Sequence, residues 1–296
     1  MVIDFGTNFK AKGVFAMENE ALLGRLKQCQ LAILKAFIEI CERLDLRYYV
    51  IGGTLLGAVR HEGYIPWDDD IDLAMPRAEY DRFVEEGVSL LPEQYFFQTF
   101  RTDPSFSASF AKIRDEQTTF IERSASRQSI HHGVYIDIFP LDYYPDGWIA
   151  RSRMRICRFL MRMRLGREYL YPEGEKRIKF AARKCLSQIA LWVYPDRLAA
   201  MARFEDLCRS VPRSRYVCSY AGIGKRKDVW PAEWILGRCW LAFEDVQVSV
   251  PGCYHEMLVH FYGDYKKLPP PEERVPHHQT TRIDLERPYT QYIQVE

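Results

Sequence analysis

Asp68-Asp69-Asp70-Ile71-Asp72 sets four carboxylates in one short window, a few turns of chain after the pair Gly52-Gly53. Like charges that close repel one another and are costly to fold together unless a cation or a set of donors neutralises them. The glycines supply the complementary half of an anion site. They let backbone approach a phosphate closely, and a helix starting there points free N–H groups and a positive dipole end toward it. Asp70 and Asp72 alternate with Ile71, Leu73 and Met75, so both carboxylates leave one face of an expected strand, while Asp69 points oppositely and Asp68 lies at the approach. Their Cα atoms should stand roughly 6.5 Å apart, at about 3.3 Å of rise per residue. Carboxylates converging at that spacing can bracket one or two divalent ions in phosphoryl chemistry, with Mg²⁺ the first choice and Mn²⁺ the alternative among oxygen-seeking ions. Asp137, isolated between Ile136 and Ile138, is a candidate third carboxylate, because such a group is costly to bury alone. The competing reading makes the acidic run a solvated turn and Asp137 a hydrogen-bonding residue of the scaffold.

Basic residues complete the candidate set. Lys112 and Arg114 alternate about Ile113, so both heads share a strand face, where a guanidinium fork matches phosphate oxygens and an ammonium neutralises developing charge. Thr54, Arg60 and His61 follow the glycine turn and are further candidates for the phosphates or the leaving nucleotide. A separate stripe, Arg151, Arg155, Arg158 and Arg162, recurs at helical spacing, with Ile156, Phe159, Leu160 and Met163 on another side. It suits an anionic acceptor or a peripheral membrane contact, and equally a solvated helix face.

These groups need a scaffold of strands and helices. Leu22, Leu26, Ile33, Phe37, Ile40 and Leu44 predict a helix over 21–44. Residues 47–51 read as a buried strand ending at Gly52-Gly53, and the next segment as a short helix with Thr54 near its cap. Further strands are expected at 71–75, 95–100, 109–113 and 135–139, with a helix at 79–86. The division this implies is a catalytic core over 20–145, an arginine-rich helical segment over 146–215, and a mixed segment over 216–296 whose tail from Lys266 is irregular around Pro269-Pro270-Pro271.

With 296 residues, 47% of them hydrophobic, the chain can bury a sizeable core. Lys and Arg number 41 against 40 Asp and Glu, so bulk charge argues neither for nor against nucleic acid, and locally no basic and aromatic interleaving or motif specific for it is found, so no nucleic-acid partner is expected. The eight cysteines form no CxxC pair and read as reduced thiols; Cys253, His255 and His260 have poor zinc spacing. No amino-terminal signal and no long apolar run is seen, so a cytoplasmic protein is expected, at most attached to the inner face of a membrane.

The string Gly52-Gly53-Thr54-Leu55-Leu56-Gly57-Ala58-Val59-Arg60-His61, then Gly63, then Ile65-Pro66-Trp67-Asp68-Asp69-Asp70-Ile71-Asp72, resembles the LicD family. That family includes bacterial phosphorylcholine transferases and is related to fukutin-related ribitol-phosphate transferases. Lys112-Ile113-Arg114-Asp115, Gly133 through Asp142, and Tyr262-Gly263-Asp264-Tyr265 extend the resemblance over roughly residues 30 to 275. It implies an α+β nucleotidyltransferase-like fold, a mixed β-sheet flanked by helices with a helical insertion or subdomain. It further implies transfer of a phospho-alcohol, phosphocholine first, from a CDP-linked donor to a sugar hydroxyl of a glycan or lipid-linked glycan, such as a lipopolysaccharide or teichoic acid precursor, with release of CMP. On that pattern Asp70, Asp72 and Asp137 are the metal-binding and catalytic carboxylates. The zinc-binding insertion of the eukaryotic relatives has no matching cysteines here. A DxD sugar-nucleotide glycosyltransferase and an inactive nucleotide-binding protein are the alternatives.

Overall fold

Apolar residues at helical spacing hold the first element, in a computed structural model that describes residues 14–165, 188, 190–220 and 228–293. Leu26, Ile33, Phe37 and Ile40 of α1 (Val14–Arg43) are buried against the sheet. Phe37 meets Phe83, and Phe83 meets Phe97, with ring centroids 5.1 and 5.8 Å apart. After α1 come β1 (Tyr49–Val50), α2 (Gly52–His61), β2 (Asp72–Pro76) and α3 (Arg77–Arg82), which continues through a π turn at Phe83–Gly87. Next are β3 (Tyr95–Gln98), β4 (Ala111–Asp115), β5 (Thr119–Glu122) and β6 (Tyr135–Tyr144). Helices α4 (Trp148–Leu165) and α5 (Arg197–Arg209) pack on each other through a second apolar cluster. The chain then forms β7 (Tyr216–Cys218), β8 (Val229–Pro231), the hairpin of β9 (Arg238–Phe243) and β10 (Val246–Pro251), α6 (Tyr254–Tyr262) and β11 (Thr280–Asp284). The middle of the expected arginine-rich helical stretch, with Arg167, lies outside the described residues.

The central sheet runs β1-β2-β6-β4-β3, with β7 joined to β6 and β8 to β7. Among the described residues only β2 and β6 pair in parallel; the other ladders of this sheet are antiparallel. This is the expected α+β, nucleotidyltransferase-like arrangement of a mixed sheet flanked by helices. Register explains how one sheet serves both a core and a polar site. Leu73, Ile138 and Ala111 are cross-strand neighbours, as are Phe97, Ile113 and Ile136, and these apolar rows are fully buried or nearly so. The intervening row places Gln98, Lys112, Asp137 and Asp72 side by side on four successive strands.

Three local expectations are corrected. The strand begins at Asp72, so Asp70 lies in the extended approach and not within the strand. Thr54 does not cap α2: the helix begins at Gly52 behind Ile51, and the Thr54 hydroxyl accepts a hydrogen bond from the Asp72 N–H at 2.9 Å. The tail is not irregular throughout, because β11 pairs antiparallel with β5 and returns the chain to the polar face of the sheet. Alternating Thr281 and Ile283 made that strand possible, whereas the prolines before it end their influence at a short 3-10 turn over Pro271–Glu273.

Candidate active site

Backbone geometry fixes the start of the site. Gly52 adopts φ +58°, a conformation that residues bearing a Cβ avoid. A Cβ at Gly52 would meet an Asp72 oxygen at 2.9 Å, and one at Gly53 would meet an Asp68 oxygen at 2.5 Å. The glycine pair therefore admits two of the chain's own carboxylates to the amino terminus of α2, where the helix dipole favours negative charge.

Around this turn stands a wall of acid. Asp72 and Asp137 are direct neighbours across the parallel ladder, and Asp70 and Asp68 face them from the approach to β2. Burial and the charge of Asp69 push the Asp68 carboxyl up to about 6. Burial and the charge of Asp68 push Asp70 up to about 7. Asp72 is driven well above the carboxylate range by burial, then by Asp70 and Asp137. Asp137 is raised by burial, although Lys112 opposes this by donating to its Oδ1 at 2.6 Å. Lys112 also sits 3.3 Å from the centre of the Tyr135 ring, which fixes the ammonium beside the wall.

The C-terminal segment contributes a group that sequence reasoning missed. Asp69 accepts the backbone N–H groups of His277 and His278 at 3.2 and 3.1 Å, and the His278 ring nitrogen Nδ1 lies 3.1 Å from Asp69 Oδ1 and 3.9 Å from Asp70. Burial disfavours the imidazolium, but the hydrogen bond and charge of Asp69 overcome it, and the ring is raised to about 9. Asp69, expected to point away from the chemistry, thus ties β11's approach to the acidic run, while Gln30 of α1 donates to its carbonyl at 2.8 Å. Among the described residues, ligand atoms of Asp69, Asp70 and His278 come within 4.8 Å of one another. Glu122 joins from β5, accepting the Tyr135 hydroxyl at 2.9 Å. Burial would raise its carboxyl, yet Lys112, His278 and Arg114 hold it below the usual range. Tyr262 of α6 faces the same acids: burial, then Asp72, Asp68 and Asp70, raise its phenol.

Other expected site residues are placed differently. Arg114 shares Lys112's face but is buried behind it, donating to Gln98 Oε1 at 2.5 Å and to the Gly133 carbonyl at 2.7 Å. Arg60 and His61 sit at the far end of α2, about 12 Å along the helix from Gly52 at 1.5 Å per residue. There Arg60 donates to His61 at 2.9 Å and to the Tyr265 carbonyl at 3.0 Å. The structure brings Gly52, Gly53, Asp70, Asp72, Lys112 and Asp137 together and leaves Arg60 and His61 at the margin.

This donor set fits a hard divalent cation. It offers carboxylate oxygens, which such ions prefer. Among the described residues Asp68 Oδ1 is buried with no hydrogen-bond partner, the His277 ring nitrogen Nε2 standing 3.9 Å away, an arrangement that is costly until something positive meets it. Burial and mutual repulsion hold Asp70 and Asp72 toward their protonated forms, and with the charge on His278 this stands in for that missing positive charge.

The family described as LicD/FKTN/FKRP, nucleotidyltransferase domain, matches residues 45–175. The lipopolysaccharide cholinephosphotransferase LicD of Haemophilus influenzae is 31% identical over 260 residues, covering 84% of this chain and 92% of that protein. The ribitol 5-phosphate transferase FKRP of Homo sapiens is 47% identical over 38 residues, or 13% of this chain and 8% of that one. An uncharacterized protein of Rickettsia prowazekii is 44% identical over 43 residues, or 14% of this chain and 16% of that one.

Proposed function

The chain belongs to the LicD family, and from that premise we propose that it transfers a phospho-alcohol from a CDP-linked donor to a sugar hydroxyl of a glycan or lipid-linked glycan, releasing CMP. The observation that carries this reading is the row of Lys112, Asp137 and Asp72, joined by Asp68 at the glycine-started terminus of α2 and by the charge of Asp70 beside Asp72. Asp70, Asp72 and Asp137 would hold Mg²⁺ or Mn²⁺; Asp69 and His278, whose ligand atoms cluster with that of Asp70, stand beside them as further candidate ligands. When bound, that ion supplies charge neutralisation on the donor diphosphate.

The chain's own groups do the rest. The N–H groups that open α2 and the Lys112 ammonium hold phosphate oxygens in place. The acceptor hydroxyl oxygen attacks the phosphorus that carries the alcohol, and its proton passes to the Asp137 oxygen that Lys112 does not occupy. A new P–O bond forms to the sugar while the P–O bond to CMP breaks, and CMP leaves with the bonding pair. Burial raises the basicity of the Asp137 carboxylate while the Lys112 ammonium favours its ionised form, the form that can receive that proton.

Choline is the alcohol we place first, because the relative aligned over most of both chains is named for choline phosphate transfer. The test offers CDP-choline, CDP-ribitol and CDP-glycerol with Mg²⁺ and follows the nucleotide product by chromatography. Metal-dependent CMP from one donor supports the reading and identifies the alcohol. A nucleoside diphosphate released from a sugar nucleotide would make the protein a glycosyltransferase instead, and a flat response to every CDP-alcohol would reject the donor class.

A further inference from the structure

Helix α4 turns an apolar strip away from the protein. Six of its 18 residues are arginine and none is acidic. Its inner side is Met154, Met161 and Leu165, which are buried in a cluster with Met201 and Phe204 of α5. At 3.6 residues per turn, the side opposite these three carries Trp148, Ile149, Ile156 and Phe159. These are 77, 67, 59 and 45% exposed. Along one side the strip is followed by the exposed Arg155 and Arg162, with Arg151 and Arg158 half-buried beneath them and Arg151 donating to the Pro145 carbonyl at 2.6 Å, and along the other by the exposed Arg153 and the half-buried Arg164. A helix at the surface of a globular protein ordinarily buries its apolar side and gives its polar side to water. Here one apolar side is buried and a second faces outward between two rows of cations.

That distribution is the one a helix needs to lie in a membrane interface, with apolar side chains at the boundary of headgroups and acyl chains and arginines among anionic headgroups. Tryptophan is suited to that depth. Trp148 opens the helix, and Trp192, 86% exposed, lies near its other end, where Arg164 donates to the carbonyls of Tyr194 and Pro195 at 3.1 and 3.4 Å. The longer arginine row opens on a cleft of about 820 Å³ lined by Arg151, Arg155, Arg158 and Arg215 against Asp146 and Asp228. Ser219 lines it too, its hydroxyl buried without a hydrogen-bond partner among the described residues. Such a cleft suits a phosphate-bearing headgroup better than a neutral apolar surface.

We propose that the outer face of α4 docks this protein on a bilayer surface rich in anionic phospholipid. The attachment proposed is peripheral, through this face alone; no helix among the described residues is long and apolar enough to cross a membrane. Charge complementarity selects the occupant: the arginines on both borders of the strip meet anionic headgroups at the same depth at which the apolar side chains leave water. Docking is read without turnover, so its failure and failure of the proposed reaction are separate results.

The experiment is co-sedimentation of the full chain with vesicles of about 30 mol % phosphatidylglycerol in phosphatidylcholine, and with phosphatidylcholine alone. Two variants accompany it: Trp148→Ser/Ile156→Ser/Phe159→Ser, and Arg153→Gln/Arg162→Gln. Wild type should sediment with the anionic vesicles and bind about tenfold more weakly to the neutral ones or in high salt. The apolar variant should lose about tenfold or more in binding with its melting temperature unchanged, since the replaced groups are exposed. The charge variant should lose the preference for phosphatidylglycerol. Wild type that stays in the supernatant overturns the proposal, as does binding that both variants retain. Concentration-dependent self-association that the apolar variant abolishes, with no lipid binding, would overturn it in favour of a second copy of the chain.

Discussion

Strand β6 carries a buried carboxylate near each end, and the two are neutralised in opposite ways. Asp142 receives Arg77 through both oxygens, each contact 2.7 Å. Arg77 reaches Asp81 and Glu205 as well, and Glu205 receives Arg101 and Arg209. Arg77, Arg101 and Arg209 thus answer Asp142, Asp81 and Glu205 charge for charge and join β6 to α3 and α5. At the other end, Asp137 has Lys112, but Asp68, Asp70 and Asp72 crowd beside it with His278 and Lys27 as partial relief. The balanced network needs nothing further and holds the fold. The unbalanced wall is poised to take up positive charge, which is the property a metal-assisted phosphoryl site requires.

The comparison is broken most readily by exchanging roles. Asp70→Asn should lower metal-dependent transfer at least about 100-fold, in line with losing one essential electrostatic group, while the metal-free protein melts no earlier because a repelling charge has gone. Near-normal turnover would remove Asp70 from the site. Asp142→Ala should do the converse. It leaves Arg77 buried without its main partner, at a cost of about 3–5 kcal/mol in denaturant unfolding, with turnover per folded molecule kept within about threefold of wild type. A stable Asp142→Ala protein with lost activity would mean that the two ends of β6 do not differ as described.

The pH dependence has a definite sign. Asp68 and Asp70 titrate in the folded protein at about 6 and about 7, above their ordinary 3.8, so the native state holds protons that the unfolded chain has released. Their contribution to stability is full below pH 3.8 and is lost as pH rises through 6 and 7. His278, raised from 6.5 to about 9, adds a loss of the same sign between those values. Glu122, held low, acts oppositely and only where acid protonates it, below its ordinary 4.5. Scanning calorimetry should therefore show the metal-free protein melting several degrees lower at alkaline than at mildly acidic pH, on a scale of about 2–4 °C per kcal/mol. Mg²⁺ should restore more stability at the alkaline end. An equal metal effect at both ends would show that carboxylate protons do not compete with the ion. The smallest effect is expected from Arg60→Ala, whose side chain engages His61 and Tyr265 at the margin; kcat/KM for the donor should change less than about threefold, under 1 kcal/mol.

The sequence made the carboxylates legible because strand alternation is a local property: Asp72 and Asp137 each reveal their face by their immediate neighbours. Their side-by-side placement depends on the parallel register of β2 with β6, and Lys112's pairing with Asp137 on the register of β4 with β6, which no local pattern states. His278 was missed because the prolines at 269–271 made the tail read as irregular, although Thr281 and Ile283 alternate beyond them. Helix α4 teaches a related lesson. Its spacing separates arginine and apolar sides, but it cannot say which apolar side turns inward. Packing against α5 selects Met154, Met161 and Leu165, leaving the bulkier Trp148, Ile156 and Phe159 outside.

The acidic wall as a divalent-cation site is tested most directly by titrating Mg²⁺ into the metal-free protein by calorimetry, in two buffers of different ionisation enthalpy near neutral pH. The expected result is saturable binding that releases protons, because carboxyls such as Asp70 must ionise to receive the ion, with binding much weakened in Asp70→Asn. Absence of saturable binding, or binding that releases no proton and is unchanged by Asp70→Asn, would contradict it.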